Sequence, residues 1–140
     1  MHEFQLIARF FSEGAAKRDD VLLGVGDDAA LLRVPEGQKV VTAMTTVRDP
    51  SRARSPASLG REALALPLRS LRDAGATPAW ATLALTLPEA DEDWLARFSH
   101  SLKTIARRCN VALVGGDTTR GPLSVTVVCN GLAPDTRPAP

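Results

Sequence analysis

A chain of 140 residues is long enough to bury a core without disulfides or a structural metal, but leaves no room for a second full domain. Lys and Arg number 17 against 16 Asp and Glu, a net charge of +1, which excludes a global field that would attract nucleic acid or an anionic membrane. Aromatic residues at 4%, with no Tyr, leave few platforms for stacked bases and argue further against single-stranded nucleic acid.

The amino terminus, Met1-His2-Glu3-Phe4, has no basic segment followed by an apolar stretch, and no apolar run reaches the roughly 18 residues of a membrane span. A cytoplasmic chain with no membrane partner is the expectation. Phe4, Leu6, Ile7, Phe10 and Phe11 recur at helical spacing and predict a short amphipathic helix over residues 3–12, ending before Gly14. The apolar runs 21–25 and 29–34 flank Gly26-Asp27-Asp28 and predict strand, acidic turn, strand. Pro35-Glu36-Gly37 turns the chain into a third strand over residues 39–44. From Arg48 to Ser58 the chain is rich in Arg, Ser and Pro without periodicity, which predicts an exposed loop, mobile unless a ligand or partner orders it.

Ser58 is the expected cap of a helix whose stripe is Leu59, Ala63, Leu64, Leu68 and Leu71, with a kink at Pro67 and an end at Gly75. Residues 79–87 form a nearly continuous apolar run between Pro78 and Pro88, as expected of a buried strand. Glu89, Asp91, Glu92 and Asp93 then sit where a helix amino terminus favours negative charge, and Lys103, Arg107 and Arg108 sit near its other end. Trp94, Leu95, Phe98, Leu102, Ile105 and Ala106 supply the buried face of that helix. A strand over 111–114 leads into Gly115-Gly116-Asp117, and residues 123–129 form the last strand. No internal repeat is present. Cys109 and Cys129 lack metal-ligand spacing and are expected reduced and packed. His100 is expected to face solvent, His2 lies at the terminus, and Trp80 and Trp94 are expected as core or interface anchors.

The two acidic glycine turns carry the chemistry. Magnesium takes hard oxygen ligands and usually bridges one or two carboxylates to nucleotide phosphates, and short Asp-bearing loops at strand ends supply such ligands. Gly26 permits a tight turn beside Asp27 and Asp28; Gly115 and Gly116 allow close phosphate approach beside Asp117, with Thr118 and Thr119 as hydroxyl donors and Arg120 as a phosphate partner. Asp and Gly are also ordinary turn residues, so a single such turn is weak evidence and two in one small domain strengthen it.

The order and wording of the segments resemble the amino-terminal domain of thiamine-monophosphate kinase along nearly the whole chain. Residues 3–11 (EFQLIARFF) resemble that family's opening helix, residues 24–32 (GVGDDAALL) its first acidic loop, residues 84–88 (ALTLP) its central strand and residues 114–124 (VGGDTTRGPLS) its second acidic loop. The resemblance implies an α+β domain of the aminoimidazole ribonucleotide synthetase-like fold: a mixed four-stranded sheet backed by helices, pairing with a second copy so that two sheets form a barrel. It implies ATP near the dimer cleft, Mg2+ held by Asp28 and Asp117 with Asp27 beside them, and Gly116 and Asp117 as nucleotide contacts. It further implies phosphorylation of thiamine phosphate to thiamine diphosphate. The expected organisation is one domain over residues 1–132 and a Pro-rich tail over 133–140, with the family's carboxy-terminal domain absent.

The chain departs from that family at several positions. Ala43-Met44-Thr45-Thr46 stands where the family has Ser-Thr-Asp-Thr, so Thr45 replaces a metal carboxylate, and Ser70 replaces another in Pro67-Leu68-Arg69-Ser70-Leu71. Pro50-Ser51-Arg52-Ala53 replaces a substrate-contacting stretch containing His. Arg48, Arg52, Arg54, Arg61, Arg69 and Arg72 crowd the altered region, either as fixed cations in place of lost magnesium, pairing with the remaining aspartates or an anion, or as a solvated face. A degenerate kinase with little or no activity alone is expected; the alternative is a non-catalytic dimerising module that binds a nucleotide or phosphate anion, or that pairs with and regulates another protein.

Overall fold

The computed structural model describes residues 10–11, 15–23 and 29–136. Most of the expected opening helix and the whole first acidic loop, Gly24 to Asp28, lie outside the described residues. Phe10 and Phe11 are helical.

A short antiparallel ribbon, β1 (Val21–Leu23) and β2 (Leu31–Leu32), precedes a four-stranded mixed sheet. The sheet comprises β3 (Gln38–Arg48), β4 (Thr77–Leu87), β5 (Ala112–Arg120) and β6 (Ser124–Pro134), in the spatial order β3-β6-β4-β5. β6 is antiparallel to β3 and β4, and β5 is parallel to β4. Two helices, α1 (Pro56–Asp73) and α2 (Glu92–Arg108), connect β3 to β4 and β4 to β5. The α+β class and the mixed sheet backed by helices are as expected.

Each helix is set by its ends and its stripe. Ser55, rather than Ser58, caps α1 by accepting the Ser58 N–H at 3.1 Å, and Pro56 occupies the first turn, where its missing N–H costs nothing. The helix runs continuously through Pro67, whose ring is buried. Asp91 caps α2 by accepting the Trp94 N–H at 3.1 Å, with Glu92 and Asp93 in the first turn and Arg107 and Arg108 in the last.

Both helices pack on one face of the sheet. Leu59, Leu64, Leu68 and Leu71 of α1 join Leu95, Phe98 and Leu102 of α2 over Leu83 and Leu85 of β4 and Val125, Val127 and Cys129 of β6. Burying each such large apolar side chain contributes roughly 1.5–3 kcal/mol. Trp94 stacks on Phe98 at 4.9 Å between centroids, and Phe11 meets Phe98 edge-on at 6.2 Å. The helices cross closely at Gly60, where a Cβ would stand 2.5 Å from the Phe98 carbonyl oxygen.

The opposite, outer face is covered at one end, where Val21, Ala30 and Leu32 of the ribbon region pack on Trp80, Ala112, Val114 and Leu132. Beyond that, Val40 and Met44 of β3 stand exposed, Met44 to 68%. Among the described residues no helix is long and apolar enough to cross a membrane.

Three expectations are corrected. Of the 48–58 stretch only residues 49–55 form a loop, since Arg48 belongs to β3 and residues 56–58 to α1, and the loop is tied down: Asp49, only 6% exposed, accepts N–H bonds from Ala53 at 3.3 Å and Arg54 at 3.0 Å, while its own N–H bonds the Leu123 carbonyl. Gly115-Gly116-Asp117 is not a turn, because β5 continues through it to Arg120. β6 runs to Pro134, past the expected strand end at 129; Ala133 is buried, and the Asp135 N–H bonds the Gly37 carbonyl.

A candidate phosphate-binding edge

β5 is an edge strand, and its glycines are needed where it meets β4. At Gly116 a Cβ would lie 1.9 Å from the Leu83 carbonyl oxygen, so only glycine allows the two strands to approach there. Ala84 pairs with Asp117 and Thr86 with Thr119, and side chains alternate along a strand. Asp117 and Thr119 therefore share the outer face with exposed Ala84, while Thr118 lies beside Leu85 on the helix side. Asp117 is exposed; its Oδ1 accepts the Thr118 N–H at 2.8 Å. The Thr119 and Thr86 hydroxyls meet at 2.9 Å, and Arg120 is exposed at the end of the strand. Gly115, Gly116, Asp117, Thr119 and Arg120 thus lie along one edge of the sheet.

The ribbon packs against this edge, with β1 touching β5. A half-buried polar knot fixes it there. Arg18 donates through Nε to Asp20 Oδ1 at 3.0 Å and through Nη2 to Oδ2 at 2.9 Å, Trp80 Nε1 donates to Oδ1 at 2.9 Å, and Arg18 Nη1 donates to the Asn110 carbonyl at 2.8 Å. The Arg18 bonds hold the Asp20 carboxyl below its ordinary range; burial opposes them and the Trp80 bond adds to them. β1 leads directly into Gly24–Asp28. The sequence reading missed Arg18 and Asp20, for which the short Arg-x-Asp spacing is the only local signal.

Fit to magnesium is decided by the donor set. Asp117 is the one acidic residue in the four strands of the sheet, and the described residues contain no group of three His, Cys, Asp or Glu able to hold a metal. Asp27 and Asp28, the other expected ligands, lie outside the described residues. The positions read as lost carboxylates do not converge on Asp117. Thr45 lies on the helix side of β3, in register through Val127 and Leu83 with Gly116, about 14 Å away at three strand spacings. Ser70 is exposed on α1, its hydroxyl 3.4 Å from the Leu66 carbonyl. The described residues alone do not make a magnesium site.

The arginines of the altered region do not gather at Asp117. Arg52, in the left-handed region at φ 55°, pairs with Glu89 at 3.6 Å and Asp91 at 3.5 Å, and Arg54 pairs with Glu62. Arg69 and Arg72 lie on the helix layer beside Cys109, with the sheet between them and Asp117. These four guanidiniums therefore stand away from Asp117; Asp27 and Asp28, the other remaining aspartates, lie outside the described residues. Trp80 and Trp94 are buried, Cys109 is half-buried and Cys129 buried, both thiols are free, and His100 is exposed, all as expected.

The chain matches the family of AIR synthase related proteins, N-terminal domain, over residues 26–133. It is 47% identical over 135 residues to thiamine-monophosphate kinase of Escherichia coli strain K12, covering 94% of this chain and 42% of that protein. Its fold superposes on the crystal structure of thiamine-monophosphate kinase from Stenotrophomonas maltophilia K279a with a TM-score of 0.78 and 40% identity, over 94% of this chain and 42% of that one. A more distant match in fold, at 19% identity and a TM-score of 0.67, is AaThiL complexed with AMPPCP and TMP, over 94% of this chain and 41% of that one. The chain spans about 42% of the length of the relatives it matches.

Proposed function

The chain belongs to the AIR synthase related protein family through its N-terminal domain, and from that premise we propose that it is a thiamine-monophosphate kinase-like module that holds nucleotide phosphate at β5 but transfers little or no phosphoryl group alone. The family reaction would pass the terminal phosphoryl of ATP to thiamine phosphate. Such transfer is mostly positioning and charge neutralisation, and magnesium, when bound, supplies neutralisation at the phosphates. What this chain contributes is the glycine edge for close approach, the Thr119 hydroxyl and the Arg120 guanidinium for phosphate oxygens, and Asp117 with Asp27 and Asp28 as the candidate metal carboxylates, whereas the expected Thr118 hydroxyl lies on the helix side beside Leu85.

The observation that carries the reading is Asp117 standing as the one acidic residue of the sheet, with uncharged Thr45 and Ser70 where the family resemblance led us to expect carboxylates. Calorimetric titration with ATP, with and without magnesium, beside an assay for thiamine diphosphate formed from thiamine phosphate and ATP, tests it. The expected result is no metal-dependent increase in affinity and no product. Magnesium-dependent binding with turnover would overturn the inactive reading and restore a working kinase half.

A second reading, a dimerising module, draws on the outer face. Val40 and Met44 are exposed there beside a Thr46 to Thr126 hydroxyl pair at 2.8 Å, an apolar and hydroxyl-bearing surface suited to a second copy of the same sheet.

A further inference from the structure

We propose that the hollow between the carboxyl-terminal turns of α1 and α2 is a binding site for a small organic anion with an apolar body. It lies on the helix layer, across the sheet from Asp117, and so is independent of the phosphate edge. The hollow has a volume of about 270 Å³, close to the lower end of small-molecule sites. Ala65, Leu68 and Ile105 form its apolar lining, and Arg69 and Arg72 contribute two guanidiniums.

The charges are arranged to receive an anion. Arg72 reaches from α1 to α2, its Nη2 donating to Cys109 Sγ at 3.1 Å. A thiol sulfur is a weak acceptor, and a guanidinium has five N–H donors, so Arg72 keeps donors for an oxyanion. Arg69 precedes it by three residues, and residues so spaced are neighbours on a helix surface. Neither arginine lies within ion-pair distance of a carboxylate among the described residues. Asp73, the acid on the rim, stands four residues from Arg69 without pairing to it. Two cations therefore face one carboxylate. Compensating the α1 dipole would explain a cation in the last turn, but it requires neither the reach of Arg72 to the second helix nor Arg69 a turn earlier.

Cys109 serves as a reporter inside the hollow. Its thiolate would attack one sulfur of an aromatic disulfide, the S–S bond would break, and the aromatic thiolate would leave, with a mixed disulfide formed on Cys109. Cys129 stays silent, because burial, with Cys109 nearby, pushes its thiol up to about 12. The test compares the dianionic dithiobis-nitrobenzoate with neutral dithiodipyridine, each rate normalised to that of a free model thiol. The expected result is a preference of about tenfold or more for the anionic reagent, within the range of electrostatic focusing. That preference should fall in Arg69→Gln and Arg72→Gln, survive in Arg69→Lys, and be suppressed by added benzoate. Equal normalised rates, or a preference unchanged by both Gln variants, would overturn the site. If Cys109 reacts with neither reagent, a benzoate titration followed by amide NMR decides: shifts centred on Ala65, Leu68, Ile105 and Cys109 that vanish in Arg69→Gln support the site, and their absence overturns it.

Discussion

The Asp20 carboxylate ties three distant parts of the chain to one point. Trp80, 60 residues away, donates to it, and Arg18, which completes the pair, also bonds the carbonyl of Asn110, 92 residues away. The Arg18 and Asp20 side chains are only 15% and 16% exposed, so the pair is not a screened surface bridge. Asp20→Asn would replace an acceptor oxygen by an amide that faces the guanidinium, and should cost about 1.5–3 kcal/mol, the range for hydrogen bonds to charged groups. The folded pKa of Asp20 is lowered from 3.8, so its contribution is fully present above 3.8 and is lost as pH falls through the lower, folded value. Urea unfolding midpoints measured from neutral to strongly acid pH should decline in the native chain over that window. In Asp20→Asn this part of the decline should be missing. The Arg18 and Asp20 pair is local and written as Arg-x-Asp, but the Trp80 and Asn110 bonds that complete the knot leave no local signal, because those groups meet only in the folded chain.

Among the elements, the helices were the most legible. Trp94, Leu95, Phe98 and Leu102 recur at helical spacing and are all buried, since a helix that must cover a sheet writes its contact face into its period. β5 was misread beyond Val114 because Gly115 and Gly116 carry no side chains to show alternation, and paired glycines ordinarily mark a turn. Their actual cause is the close approach to Leu83, a tertiary fact. At the candidate site the resemblance singled out Asp117, but not that it stands on a strand rather than in a loop. The loop after β3 was misjudged for a similar reason, since Asp49 reads as one more charged residue until Leu123 and the Ala53 and Arg54 amides surround it. Asp49→Ala should leave those two amides without their acceptor and cost about 1–3 kcal/mol. Limited trypsin digestion should then cut after Arg52 or Arg54 faster than in the native chain; unchanged cleavage would mean that the Arg52 and Arg54 ion pairs suffice to hold the loop.

For the whole molecule, the unequal treatment of the two sheet faces is the dominant fact. One face carries both helices, and among the described residues the other is covered only at the ribbon end. If a second copy occupies the remainder, Met44→Asp should abolish self-association in sedimentation velocity while leaving the circular dichroism of the chain unchanged, because Met44 is 68% exposed. A native chain that is monomeric at all accessible concentrations would remove the dimerising reading.

The strand order β3-β6-β4-β5 also dictates when the sheet can exist. β6, the last strand of the chain, stands between β3 and β4, so the βαβ unit built around α1 has a gap at its centre until that strand arrives. Thr46 and Thr126, whose hydroxyls touch, are 80 residues apart in the chain. During synthesis β3 would wait, apolar and unpaired, while β4, α2 and β5 emerged and formed a right-handed crossover of their own. The final strand would then act as a wedge that joins two pieces with a long-range contact, the kind that slows folding. A chain lacking β6 would have two open edges where the molecule now has its centre.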